Sequence, residues 1–174
     1  MVQENKVYKV LDVARYIINY SNRNDKSITH LKLQKLLYYV QANFLVNRNG
    51  VHCFEENILN WDYGPVINEV YYEFRGNGKD YLPNQEEYTI IEYDEDIESI
   101  KFCEKRFDEK IIMDSDKEMI NEVIDSYFQY TAFEMVNKTH GEDPWKSIER
   151  NKVIDKEIIR EYYLQNSGKI KGES

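Results

Sequence analysis

The stretch THLKLQKLLYYVQANFLV, residues 29–46, decides how this chain folds. Leu33, Leu36, Leu37, Val40 and Phe44 recur at three- and four-residue spacing, which places them along one stripe of a helix. Leu31, Leu45 and Val46 widen that stripe beyond what a surface helix shows, so the helix, expected from His30 to about Asn47, is central and touched on several sides. Thr29 precedes it as an N-cap, its hydroxyl accepting from a free amide of the first turn. Lys32, Lys35 and Tyr39, separated by three and four residues, share a narrower face that is expected to be the exposed one.

Working outward, Val7, Val10, Leu11, Ala14, Ile17 and Ile18 predict an earlier amphipathic helix over Tyr8 to Ser21, stopped by the polar run 21–25. After Gly50, residues 51–61 read as loop. The stretch NWDYGPVINEVYYEF, residues 60–74, then reads as a helix start. Pro65 suits the first helical position, where its missing N–H costs nothing, and Gly64 is an acceptable cap. Val66, Val70 and Phe74 follow at fourfold spacing. Residues 79–113 read as an insertion with little regular structure. Within it, Tyr88 to Tyr93 has strand composition and the run Glu92 to Glu98 reads as a solvated acidic loop, while Ile100 to Ile111 fits helix or strand.

Two capping boxes follow, Ser115 with Glu118 and Thr131 with Glu134, each pairing a hydroxyl and a carboxylate across a helix's first turn. Between them Ile120, Val123, Ile124, Tyr127 and Phe128 form a core-facing stripe. A last helix is expected from Asp155, with Ile154 and Ile159 as a hydrophobic staple. From Ser167 the chain is polar and is expected to fray.

The composition bounds the function. At 174 residues and 41% apolar content, one domain with a sizeable core is expected. No apolar run suggests a membrane span, and the first ten residues lack a secretory signal. Two cysteines far apart, Cys53 and Cys103, suit a reducing cytoplasm. With 32 acidic against 23 basic residues the net charge is −9, a field that repels nucleic acid and favours a basic protein surface. Phosphate loops, GxGxxG, His-Glu-x-x-His and paired CxxC motifs do not occur, so neither cofactor, metal nor enzymatic turnover is expected. A Cys–His pair from Cys53 or Cys103 with His140 lacks any activating neighbour. Glu69, one turn into a helix, either complements the dipole or binds a partner. In Thr139-His140-x-x-x-Pro144-Trp145, His140 would hold a loop by a backbone hydrogen bond. Trp145 plugs the core, or, if Trp145 or Trp61 is exposed instead, that ring anchors a partner.

Three blocks resemble the Panacea, or SocA-like, antitoxin domain. They are residues 29–39; Trp61, Tyr63, Gly64, Pro65, Val66, Glu69, Val70 and Tyr71; and Thr139, His140, Pro144 and Trp145. The resemblance implies a mainly α fold, a compact single-domain helical bundle. The similarity covers most of residues 8–165, and the expected domain spans residues 1–166 with a small irregular or short-strand insertion at about 79–113, followed by a polar, flexible tail at 167–174. It further implies an antitoxin that binds and neutralises a toxin encoded by an adjacent gene. Alternatives are delivery of that toxin to a protease, a phage or mobile-element accessory protein that binds a host protein, or a nucleic-acid regulator using Lys32 and Lys35. The family carries no catalytic residues to transfer. Leu33, Leu36, Leu37, Gly64 and Pro65 look structural within the motifs. That leaves Lys32, Lys35, Tyr39, Trp61, Tyr63, Glu69 and Tyr71 as the contact candidates.

Overall fold

The computed structural model describes residues 5–173. Residues 1–4 and 174, at the ends of the expected domain and tail, lie outside the described residues. Helix α1 (Val10–Arg23) leads into α2 (His30–Asn47), capped as expected by the Thr29 hydroxyl, which accepts from the Lys32 N–H. Strands β1 (Ile58–Trp61) and β2 (Gly64–Ile67) form a hairpin followed by α3 (Asn68–Phe74). A second antiparallel hairpin joins β3 (Glu87–Asp94) to β4 (Ser99–Arg106). Helices α4 (Asp114–Ser126), α5 (Ala132–His140), α6 (Asp143–Lys146) and α7 (Lys156–Gln165) complete a mainly α architecture with two small sheets.

Helix α2 is the axle. Fourteen of its 18 residues are buried, and it packs against α1, β2, α3, α4, α5 and α7. Leu33, Leu36, Leu37 and Phe44 are wholly enclosed, each side chain contributing about 1.5–3 kcal/mol by leaving water. Enclosure extends to polar groups, which must then find partners. Gln41 Nε2 donates to the Phe54 carbonyl (2.8 Å) and its Oε1 accepts from the Cys53 N–H (2.7 Å). Asn43 donates to the Met119 carbonyl at 3.0 Å. The face carrying Lys35 and Tyr39, expected to meet solvent, is inside the protein.

The region around Pro65 departs from expectation. Gly64 and Pro65 lie in β2, and the helix starts three residues later at Asn68. Gly64 has φ +93°, a conformation that glycine accepts without strain, and it closes the tight turn at Asp62 and Tyr63. Pro65 faces Asn60, whose N–H and carbonyl are engaged on its other side by Lys152 (2.9 Å) and Asn151 (2.7 Å). The proline therefore interrupts no ladder bond. With Ile154 N–H donating to the Ile58 carbonyl at 2.8 Å, residues 151–154 run along the outer edge of β1.

Three further expectations are corrected. Helix α4 begins one residue before Ser115 and lacks a side-chain cap. Asp116 instead turns inward to pair with Arg48 and accept from the Tyr8 hydroxyl. Phe128 is exposed rather than core-facing. Ser167–Lys171, expected to fray, forms a 3-10 turn that buries Ile170. Tyrosine hydroxyls pin it, Tyr127 donating to the Lys169 carbonyl (2.6 Å) and Tyr130 to that of Gly172 (2.7 Å). The Thr131–Glu134 capping box and the Asp155 start of α7 are present as read, with Ile154 and Ile159 buried. Among the described residues no helix is long and apolar enough to cross a membrane.

Candidate functional site

The β1–β2 turn, the first turn of α2 and α3 enclose a cleft of about 430 Å³. Its walls carry four rings, Trp61 and Tyr63 from the hairpin, Tyr71 from α3 and His30 from α2, with Leu31 and Val66 as aliphatic groups and Gln34, Asp62 and Asn151 as polar ones. The Trp61 and Tyr71 rings meet edge to face at 5.0 Å, and Tyr71 lies 5.5 Å from the His30 ring. Burial holds His30 below the ordinary imidazole pKa, with the Lys35 charge acting in the same direction. A neighbouring cleft of about 490 Å³ shares Leu31 and Tyr63 and is closed by Phe133 of α5. Tyr63 and Phe133 are 63% and 62% exposed, so the two clefts form a groove rimmed by aromatic rings in water.

Several side chains make the hairpin wall rigid. Gln34 mimics a neighbouring strand, donating to the Ile67 carbonyl (3.1 Å) and accepting from the Ile67 N–H (2.9 Å). Lys35 Nζ, wholly enclosed, donates to the Pro65 carbonyl at 2.9 Å. Burial without a carboxylate partner pushes that amine down to about 7. Behind the wall, the Trp145 indole N–H donates to the Trp61 carbonyl (3.0 Å), and its ring stacks on His140 at 3.9 Å. The Arg150 guanidinium lies 4.2 Å from the Trp145 ring centre and bridges to Asp62 at 3.1 Å. Asn60 donates to the carbonyls of Trp145 (3.0 Å) and Ile148 (2.5 Å).

The contact candidates therefore divide. Trp61, Tyr63 and Tyr71 come together in the groove. Lys35 and Tyr39 do not reach the surface. The Tyr39 hydroxyl donates to the buried Glu142 carboxylate (3.2 Å), as does Tyr163 (2.5 Å), and desolvation raises the Glu142 pKa. Lys32 is tied to the α4–α5 connection, Nζ donating to the Tyr130 carbonyl at 2.6 Å. Glu69 faces away from the groove, in a cleft between α1, α3 and β3. Trp145 is half-buried and braces the hairpin, while Pro144 and Val70 are core. Phe133 and Leu31 escaped the sequence reading because their helical spacing resembles that of core positions. The adjoining Thr131 cap, which puts Phe133 in a solvated first turn, was the available signal.

No group of three His, Cys, Asp or Glu among the described residues is arranged to hold a metal ion. Burial raises the Cys53 thiol pKa well above its ordinary value, and a hydrogen bond to Glu92 raises that of Cys103. Both keep their proton, the opposite of what a nucleophile needs.

The sequence model of the family described as antitoxin SocA-like, Panacea domain, matches residues 33–146, from α2 through α6. Over 75 residues the chain is 37% identical to the antitoxin SocA of Caulobacter vibrioides (strain NA1000 / CB15N). That match takes in 42% of this chain and 38% of the relative, so well under two thirds of the relative's length is spanned. No solved structure matches. With the family match running over well more than half of the 174 residues and including most of the groove's lining, the chain belongs to the SocA-like antitoxin, Panacea-domain family.

Proposed function

We propose that this protein is an antitoxin that neutralises a toxin, encoded by an adjacent gene, through direct binding in the aromatic groove and without catalytic turnover. The observation that carries the reading is the pair Tyr63, on the hairpin wall held rigid from behind, and Phe133 of α5, large rings left more than 60% exposed. Family membership and the relative named as an antitoxin support the role. Interface energy concentrates on aromatic anchors of this kind, and a fixed wall loses little entropy on binding. Covering the remaining surface of each ring contributes about 2–4 kcal/mol gross, from about 100–150 Å² at 25 cal/mol per Å². The net charge of −9 adds an attractive field for a basic partner.

The test is co-expression with the product of the adjacent reading frame, scoring growth, co-purification and the steady-state level of that product. Growth arrest by the neighbour alone, reversed by this chain in a stable complex, is the expected result. Tyr63→Glu with Phe133→Glu is expected to weaken the complex by about a hundredfold or more, as two lost anchors imply, while the helical circular-dichroism signal stays unchanged. A neighbour that disappears instead of persisting in the complex would replace sequestration with delivery to a protease. Full rescue by the double variant would place the interface elsewhere.

A further inference from the structure

The β3–β4 hairpin takes no part in the groove, yet it carries a cluster of large exposed apolar side chains. Its register sets Ile91 opposite Phe102 and Tyr93 opposite Ile100. Opposed residues of an antiparallel pair share a face, as do residues two apart along a strand. These four side chains therefore form one contiguous patch, each 61–69% exposed. The opposite face is occupied: Tyr88 lies over the Arg15 guanidinium at 3.6 Å, and Arg15 is held by Glu73 at 2.8 Å. The hairpin is thus fastened to α1 through Tyr88, while these four side chains on the other face stay largely uncovered. Among the described residues the sheet has two strands, an arrangement that is marginal unless something covers its apolar side.

Charge identifies what covers it. The tip holds Asp94, Glu95, Asp96 and Glu98 within five residues, with no basic residue among them. At the other end of the patch face stand Glu87 and Glu104 against the single cation Arg106. A second copy stacked face to face about a two-fold axis would set acidic tips against acidic tips, or against these carboxylates. Like charges brought together in this way oppose association. We propose that the Ile91, Tyr93, Ile100 and Phe102 face is a docking site for a partner protein whose apolar surface is rimmed by lysine and arginine. The proposal rests on the reading that this chain binds a protein toxin, and it adds the partner's surface chemistry and a second contact. Helix α3 separates the two contacts, with Tyr71 toward the groove and Glu69 and Glu73 toward the hairpin.

The probe is the purified product of the adjacent reading frame, titrated against the full chain and two variants. Ile91→Ser with Phe102→Ser is expected to lower affinity about thirtyfold or more, the scale of a lost hot spot. Neutralising the tip (Glu95→Gln, Asp96→Asn, Glu98→Gln) leaves the patch and fold in place. It is expected to slow association about tenfold at low salt and to have no effect at about 0.5 M salt, where screening removes steering. Wild-type affinity in both variants would overturn the proposal. So would concentration-dependent dimerisation in sedimentation that Ile91→Ser with Phe102→Ser abolishes, because the occupant would then be a second copy. If the unmodified chain neither binds nor neutralises the probe, the antitoxin reading fails and this proposal falls with it. That failure shows in the wild-type arm alone.

Discussion

Lys35 gives the protein a stability that depends on pH in a window where few other groups titrate. Its ammonium is wholly enclosed by α2, β2 and α5 and donates to the Pro65 carbonyl, while burial lowers its pKa from 10.5 to about 7. Between these values the unfolded chain holds a proton that the folded chain has released, so stability rises with pH and is lost as pH falls toward 7. Each pH unit contributes about 1.4 kcal/mol, or about 2 kcal/mol between pH 7 and 8.5. The His30 and His140 pKa values are lowered by burial and so act below this window. Cys53, raised by burial, opposes the trend only where an ordinary thiol would ionise, near its upper edge. Urea unfolding of the wild type and Lys35→Met at pH 7.0 and 8.5 isolates this contribution. The wild type is expected to gain about 2 kcal/mol, or about 4–8 °C in Tm, while the variant loses that dependence. Met also leaves the Pro65 carbonyl unpaired at a cost of about 1–3 kcal/mol, but this offset is the same at both pH values. Equal pH dependence in both proteins would refute the assignment.

Gly64→Ala tests the close approach at the hairpin turn. A Cβ there would stand 2.7 Å from Thr139 Oγ1 and 2.9 Å from Lys35 Cε at φ +93°. A loss of about 2–4 kcal/mol is expected in chemical unfolding, from strain plus overpacking; a loss below half of that would show that Lys35 and Thr139 move aside. Thr131→Ala removes the capping box of α5, in which the Thr131 hydroxyl accepts from the Glu134 N–H at 3.2 Å. It is expected to cost about 1 kcal/mol in urea unfolding, and an unchanged midpoint would mean that solvent caps that turn equally well.

The sequence showed some layers of the structure more plainly than others. The Thr29 and Thr131 caps were legible because capping is local, needing one hydroxyl and one amide a turn away. The breadth of apolar positions on α2 correctly implied a central helix. The face holding Lys35 and Tyr39 was misread because binary patterning assigns charge and hydroxyl groups to water. Only the fold supplies the Pro65 carbonyl and the Glu142 carboxylate that satisfy them inside. Pro65 misled for a related reason. A proline after glycine suits a helix start, but it also suits a strand whose facing residue, Asn60, has its backbone groups engaged elsewhere. Of the groove, Trp61, Tyr63 and Tyr71 were legible by motif. Phe133, about 70 residues distant in sequence from Tyr63, joined them only through tertiary packing.

The strand-like run at residues 151–154 has a consequence for dissecting the molecule. The family match ends at residue 146, yet the edge of β1 is closed by residues beyond it. Shared ancestry and mechanical integrity therefore have different boundaries in this chain. A fragment ending at residue 146 would keep every ring of the groove but lose both α7, which packs on α2, and the clasp that fastens β1, leaving the aromatic cleft mounted on an unlatched hairpin.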